Sequence, residues 1–216
     1  MLGALQLAFI DSVNLLLIGV IVAVGIAARS NYAKTTALLI AGDWCGVAGL
    51  ALIMLVIFDG LGPVVQRFVE GPVFGILLIA TGVLTAVLAL RGGDNQALVQ
   101  KIMRPLHTPG PATVGTGVVL GLIQSATSLP FYGGLALLSA AGVDAQVRYA
   151  AIPLYATVAL SLPTLAALAV GWVRAKPDSA AARGFDWARA HPDQVTAAAT
   201  WSVAVLLIVL GVTHVV

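Results

Sequence analysis

The sequence predicts an all-α integral membrane protein with six transmembrane helices, arranged as two inverted three-helix repeats. Composition is the first reason: of 216 residues, 60% are hydrophobic and only 9% are charged. A soluble domain carries about 25% charged residues. The other two reasons are six long apolar segments and a weak internal repeat.

The six apolar segments lie at about residues 3–28, 36–58, 72–90, 113–140, 149–173 and 195–216. Each is close to or above the ~20 residues that cross the hydrocarbon core of a bilayer. No Lys or Arg precedes Arg29. The first segment therefore lacks the basic start of a signal peptide, and we expect it to be a retained span.

Charge in the five loops predicts the orientation of the spans. Nine of the 11 Lys and Arg residues fall in loops one, three and five, whereas loops two and four hold only Arg67 and Arg148. The positive-inside rule then places the odd loops in the cytoplasm of a bacterial-type inner membrane, with both termini outside. Residues 98–106 in loop three and a helix starting near Asp178 in loop five are expected to lie on the cytoplasmic leaflet.

The internal repeat relates the two halves of the chain. An offset of 113 residues aligns residues 10–14 with residues 123–127, both polar stretches inside apolar segments. The halves are residues 1–108 and 109–216, each with three predicted spans. An odd number of spans forces opposite orientations, and inverted repeats with matching interrupted helices are typical of transporters with a midplane site.

Polar residues interrupt the first span at Asp11, Ser12 and Asn14. A carboxylate at this depth costs several kcal/mol unless it faces protein or water. Asn14 lies three residues after Asp11 and therefore shares its helical face. We expect these three residues to line a substrate- or ion-binding site.

The fourth span carries the matching polar stretch, in which Gln124, Ser125, Thr127 and Ser128 precede Pro130. Proline removes a backbone donor and clashes with the preceding turn, and the freed carbonyls need partners. The stretch is either a kink whose carbonyls are capped by Ser and Thr, or an unwound segment that holds an ion or polar substrate. Both interpretations stay open at this point.

Asp43 in the second span is the second membrane carboxylate. It is either a water-exposed group near a vestibule or, together with Asp11, part of a proton or cation path. The two carboxylates approach each other if the first span breaks near Asn14. In the fifth span, Tyr155 lies in a segment with two prolines, which predicts a bent helix, and we include Tyr155 in the candidate site.

Two pairs of glycines with the small-xxx-small spacing predict close helix packing: Gly42 with Gly46, and Gly117 with Gly121. A homodimer through a glycine-lined face is compatible with the sequence, which does not specify the oligomeric state.

Several function classes are excluded or disfavoured. The single cysteine, Cys45, excludes an intrachain disulfide, and no histidine has a partner at metal-ligand spacing. A net charge of +2 without basic clusters argues against nucleic-acid binding. No nucleophile elbow, phosphate-binding loop or zinc-protease motif is present. We expect no enzymatic activity, no metal and no cofactor.

Short motifs in both halves resemble those of the LysE superfamily of small membrane transporters. Asp11–Asn14 is similar to its Asp-Ser-Leu-Asn-Pro signature, and Ser128–Tyr132 to its Thr-x-x-Pro-Tyr segment. Leu154–Tyr155 followed by Leu162–Pro163 is similar to its Leu-Tyr-Asn…Leu-Pro pattern. The resemblance implies a six-span inverted-repeat bundle that moves a substrate without ATP. The superfamily includes amino-acid exporters, cadmium and manganese exporters, and lipid-addressing proteins of mycobacterial-type envelopes.

The favoured function is a secondary-active, proton-coupled transporter that exports a small polar solute or translocates an envelope lipid or its headgroup. Its partners are then membrane lipids and a small solute or lipid-linked substrate. A divalent-cation exporter that uses Asp11, Asp43 and hydroxyl oxygens is an alternative. A non-transporting membrane scaffold for an envelope enzyme is another.

Overall fold

The structure is a computed structural model that describes residues 2–27, 31–91, 106, 108–176 and 178–191, together with residues 194, 198, 201, 204, 205, 207–209 and 211–213. Within these residues the chain is helical, with no strand. The helices are α1 (Leu2–Asp11), α2 (Leu15–Ala27), α3 (Tyr32–Gly60), α4 (Gly62–Glu70), α5 (Pro72–Arg91), α6 (Pro111–Ala126), α7 (Leu129–Ser139), α8 (Ala145–Ala150), α9 (Ile152–Ala159), α10 (Ser161–Ala175) and α11 (Ala180–Ala190).

Long apolar helices are the candidate membrane spans of the chain. Among the described residues, α3 is the one unbroken helix long and apolar enough to cross a membrane, and up to four spans result if each bent helix pair counts as one. At 1.5 Å per residue, the 29 residues of α3 extend about 43 Å, more than the ~30 Å hydrocarbon core. The all-α prediction is confirmed for the described residues, whereas six spans and inverted repeats stay predictions. Most of the predicted sixth segment lies outside the described residues.

Three of the predicted spans are bent at a break. The bend is 49° between α1 and α2, 77° between α6 and α7, and 42° at Leu160, where α10 follows α9. The prolines lie at the starts of new helices: Pro130 and Pro153 are the second residues of α7 and α9, and Pro163 is the third residue of α10. The first turn tolerates proline because its N–H has no intrahelical acceptor.

Helices α3 and α6 form the tightest contact, and the two glycine pairs explain it. A Cβ added at Gly42 would lie 2.2 Å from the carbonyl oxygen of Val114, and one at Gly121 would lie 2.4 Å from that of Asp43. Gly46 and Gly117 make equally close approaches to the facing backbone. The packing role predicted for these glycines is confirmed.

Two hydrophobic cores lie on either side of the helix breaks. The first core joins α1, α7, α9 and the C-terminal half of α3, with Phe131 and Tyr155 at its centre. The second core joins α2, α6, α10 and the N-terminal half of α3, with Leu17 and Val170 among its members. Trp44 packs against both cores. The polar interruptions of the first and fourth spans therefore lie between two apolar blocks.

The short connecting helices are partly as expected. Helix α11 begins at Ala180, close to the predicted start near Asp178. Helix α4, in loop two, was not predicted from the sequence. Of the amphipathic stretch predicted in loop three, only Leu106 lies among the described residues.

We predict that Gly121→Ala destabilises the protein by about 1–3 kcal/mol, because the new methyl group forces α3 and α6 apart. Gly115→Ala on the same helix is the matched control, since a Cβ at Gly115 meets nothing within 4 Å. Thermal unfolding in detergent measures both. Equal stability of the two variants would contradict the packing account.

Candidate functional site

The first helix break is stabilised by its own polar residues. Ser12 is fully buried, and its hydroxyl donates to the carbonyl of Phe9, in the last turn of α1. Asn14 is the N-cap of α2, because its Oδ1 accepts the N–H of Leu17 at 3.0 Å. A side-chain cap of this kind satisfies backbone groups that a broken helix leaves unpaired.

The second break is built in the same way. Thr127 donates its hydroxyl to the carbonyls of Ile123 and Gln124, at 3.0 and 3.1 Å. Ser128 is the N-cap of α7, and its Oγ accepts the N–H of Phe131 at 3.2 Å. One interpretation of this stretch was a kink whose backbone carbonyls are capped by Ser and Thr side chains. Thr127 makes such contacts.

Two hydrogen bonds connect the breaks across the bundle. Ser128 Oγ donates to Asp11 Oδ1, and Asn14 Nδ2 donates to Gln124 Oε1. Gln124 lies 113 residues after Asp11, and Ser128 lies 114 residues after Asn14. An offset of 113–114 residues therefore maps one hydrogen bond onto the other. In each bond, the end of the helix before one break is joined to the N-cap of the helix after the other break.

Asp43 joins the same site from α3. It is fully buried, and Gln124 Nε2 donates to both of its carboxylate oxygens, at 3.0 and 2.9 Å. Gln124 thus accepts from Asn14 with one end of its amide and donates to Asp43 with the other. We call Asp11, Asn14, Asp43, Gln124 and Ser128 the polar network. It brings both membrane carboxylates to one place, because Gln124 donates to Asp43 and lines the same cavity as Asp11.

A cavity of about 250 Å³ opens beside the polar network. Its lining is Asp11, Val13, Asn14, Val47, Gln124, Thr127, Ser128, Ala159 and Leu160. Since a water molecule occupies about 30 Å³ in the liquid, the cavity can hold several waters or one compact polar group. It offers a carboxylate, two amides and two hydroxyls inside an otherwise apolar bundle.

Five of the ten sequence-predicted site residues line this cavity. Asp43 does not line it, but accepts a hydrogen bond from Gln124, which does. Ser12, Ser125, Pro130 and Tyr155 are not among the lining residues. Ser125 is buried, and its hydroxyl has no hydrogen-bond partner among the described residues. Tyr155 lies in the first core and donates its hydroxyl to the carbonyl of Phe131 at 3.2 Å. A direct substrate contact from these four residues stays a prediction.

Sequence reasoning missed two polar clusters at the ends of the bundle. In the first, Asp59 accepts from Ser139 Oγ at 2.7 Å and from Arg148 Nη2 at 2.9 Å. We call it the Asp59 cluster; it joins the C-terminal ends of α3 and α7 to α8. The one indication in the sequence was that Arg148 is the sole basic residue of its loop.

The second cluster lies at the opposite end of α3. Arg174 donates to the carbonyl of Gly25, and its guanidinium lies 5.2 Å from the ring centroid of Tyr32. Tyr32 donates its hydroxyl to the carbonyl of Ala167 at 2.9 Å. This Tyr32 cluster joins the end of α2, the start of α3 and the end of α10. Gly25 and Ser139 are 114 residues apart, and Asp59 and Arg174 are 115 apart, so the offset also relates the two clusters.

Metal binding has limited support in this arrangement. Within the described part of the chain, no group of three or more His, Cys, Asp or Glu side chains is placed to hold an ion. Cys45 is a free, exposed thiol. A divalent cation would therefore depend on two carboxylates and neutral oxygens, a sparse ligand set for a hard ion.

Comparison with known protein families gives a match over nearly the whole chain. The family model described as "Sap, sulfolipid-1-addressing protein" matches residues 5–213, nearly the whole chain. Neither a curated protein nor a solved structure matches the chain significantly. The match agrees with the lipid-addressing branch of the resemblance inferred from the sequence motifs, while the wider LysE superfamily stays a prediction.

We predict that Gln124→Met destabilises the protein by about 2–3 kcal/mol, because it removes the amide that donates to the buried Asp43. Adding Asp43→Leu should recover at least half of the loss, since the unpaired polar group is then removed too. Denaturant unfolding of the single and double variants measures this coupling. Gln146→Met, at an exposed position of α8, is the control, and an equal loss there would contradict the role of the Gln124–Asp43 bond.

Proposed function

The chain belongs to the sulfolipid-1-addressing protein family, and we propose that it is a secondary-active transporter that moves an envelope lipid by its polar headgroup. Family membership indicates a role in lipid addressing or envelope lipid handling. The observation that carries the transport proposal is the polar network, which lies with its cavity at the meeting point of two broken helices.

We propose six spans in two inverted repeats, residues 1–108 and 109–216. Three pairs of features support this architecture. In each pair, an offset of 113–115 residues along the sequence relates one feature to the other. They are the two hydrogen bonds between the breaks, the two hydrophobic cores, and the two polar clusters at the ends of α3. Interrupted helices facing each other at the midplane are the usual site of such folds.

In the proposed mechanism, the lipid headgroup enters the cavity and exchanges hydrogen bonds with the polar network. Asn14, Gln124 and Ser128 supply neutral donors and acceptors, while Asp11 supplies the charge. The acyl chains stay in the surrounding hydrocarbon, so the cavity needs to fit only the polar group. A small polar solute fits the same cavity and is the alternative substrate.

We propose coupling to protons through the two carboxylates. Asp11 lines the cavity, so a proton can reach it from the aqueous phase when the cavity is open. Protonation would remove the charge that accepts the Ser128 hydroxyl and so weaken the link between α1 and α7. Asp43, buried behind Gln124, would be the second proton acceptor, and its protonation would weaken the bonds that it accepts from the Gln124 amide.

The two end clusters are proposed as the gates of this cycle. With the odd loops cytoplasmic, the Tyr32 cluster lies at the inner end and the Asp59 cluster at the outer end. Both are closed by side-chain contacts between helices of different repeats. Opening one while the other stays closed would expose the cavity to one side at a time, which is alternating access.

The two remaining candidate functions make different predictions. A cation exporter would lose activity with either Asp11→Asn or Asp43→Asn and would respond to added metal. A scaffold would tolerate Asp11→Asn and fail when loop three or loop five, which includes α11, is changed. No contact between described residues specifically favours either.

We predict that Asp11→Asn abolishes transport while the protein still inserts and folds. The assay is mass-spectrometric comparison of surface-extractable and total envelope lipids in cells that lack the endogenous chain. Wild type should restore the surface fraction of one lipid class, and Asp11→Asn should not. Asp144→Asn, at an exposed carboxylate beside α8, is the control. Full restoration by Asp11→Asn would contradict the proposal.

We also predict that Arg148→Gln makes the cavity more accessible from outside, because it removes the ion pair of the Asp59 cluster. The assay places a single cysteine at Thr127 in a Cys45→Ser background and measures its labelling by a membrane-impermeant thiol reagent. We expect labelling several-fold faster than with Arg148 intact. Unchanged labelling, with Arg67→Gln as the comparison, would exclude the Asp59 cluster as a gate.

A further inference from the structure

A second, larger cavity lies between α3 and α10, separate from the polar network. Its volume is about 920 Å³, and we call it the α3/α10 groove. Its walls come from the N-terminal half of α3 and from α10. Small residues repeat on both helices, for example Ala33, Ala37 and Ala41 at intervals of four residues, which leaves a long trough between the helices.

Most polar groups in the groove walls are already used within the chain. The lining side chains with hydroxyl or indole groups are Tyr32, Thr36, Trp44, Thr164 and Trp172. The first four donate to acceptors of the chain at 2.7–3.2 Å, three to backbone carbonyls and Trp44 to Thr157 Oγ1. A polar solute would find few partners there, so the groove favours an apolar occupant.

The length of the groove matches one leaflet. Its lining runs from Tyr32 to Cys45 along α3, which is about 20 Å at 1.5 Å per residue. The hydrocarbon of one leaflet is about 15 Å deep. Tyr32 and Trp172 lie at the end of the groove where α3 begins and α10 ends, and aromatic residues of this kind mark the headgroup level of a membrane.

Cationic side chains lie at the same end of the groove. Lys34 is exposed in the first turn of α3, and Lys176 follows α10 with its Nζ 4.6 Å from the ring centroid of Trp172. Arg174 lies at the same end, against Tyr32. Basic residues at the headgroup level attract anionic lipids.

We propose that the α3/α10 groove binds one acyl chain of an anionic membrane lipid, whose negative headgroup lies beside Lys34 and Lys176. A second copy of the chain is a poorer occupant. Two copies related by a two-fold axis normal to the membrane would bring their cationic ends together, and like charges repel. The site does not depend on transport, since the polar network contributes nothing to the groove walls and the proposed gates share with them only Tyr32 and Ala167.

The experiment is native mass spectrometry of the purified full chain titrated with phosphatidylglycerol or with phosphatidylcholine of the same acyl chains. Wild type should retain phosphatidylglycerol in preference to phosphatidylcholine. Ala41→Phe, which fills the groove, should weaken binding of both lipids by roughly tenfold. Ala169→Phe, at an exposed position of α10 outside the groove lining, is the matched control and should bind as wild type does.

The charge component is tested with Lys34→Gln and Lys176→Gln together. We expect the preference for phosphatidylglycerol to fall by roughly five- to tenfold, with phosphatidylcholine binding unchanged. Cys45, the single cysteine of the chain, is a second reporter: added phosphatidylglycerol should slow its alkylation in wild type and in Ala169→Phe. If Ala41→Phe fails to fold, Ala37→Leu replaces it.

Equal binding by Ala41→Phe and Ala169→Phe would overturn the proposal, as would equal retention of the two lipids by wild type. A wild-type dimer that Ala41→Phe dissociates would assign the groove to a second copy instead. Failure of the wild-type chain to restore the surface lipid fraction in cells, with groove binding intact, would contradict the proposed function and leave the groove assignment standing.

Discussion

The structure depends on how two carboxylates inside an apolar bundle are supplied with hydrogen-bond donors. A charged group at this depth is costly unless protein or water compensates it. Here Asp11 accepts from Ser128, and Asp43 accepts two contacts from the Gln124 amide, which itself accepts from Asn14. The first and fourth spans break at these residues, and the breaks supply the caps and the cavity. The same hydrogen bonds therefore stabilise the fold and create its polar site.

This arrangement also explains why the two largest hydrophobic cores are separate. The first core surrounds one side of the polar network and the second core the other, while α3 crosses both without a break. Close contact between α3 and α6 through the glycine pairs holds Asp43 near Gln124. Because α3 is unbroken and the first and fourth spans beside it are broken, the helices on either side of each break can move while Asp43 keeps its position on α3.

Sequence reasoning predicted the helical membrane fold, the packing glycines and the residues of the polar network, because polar groups in apolar runs and small-residue spacing are local features. It predicted an approach of Asp11 and Asp43 only on condition of a break near Asn14. The hydrogen-bond partners within the polar network could not be predicted, because the bends of 49° in the first span and 77° in the fourth decide which residues face each other. The Asp59–Arg148 pair was missed because it joins residues far apart in sequence, and Tyr155 was selected although its hydroxyl is used within the first core.

The most direct test of the central claim is photocrosslinking from inside the cavity. A benzophenone amino acid at Val13, which lines the cavity beside Asp11, is activated in native membranes, and the adducts are identified by mass spectrometry. The same group at Val119, exposed on α6, reports the bulk lipid. The account predicts that Val13 captures one lipid class, or its headgroup, enriched over the Val119 adducts. A Val13 profile with no lipid, or one identical to that at Val119, would contradict it.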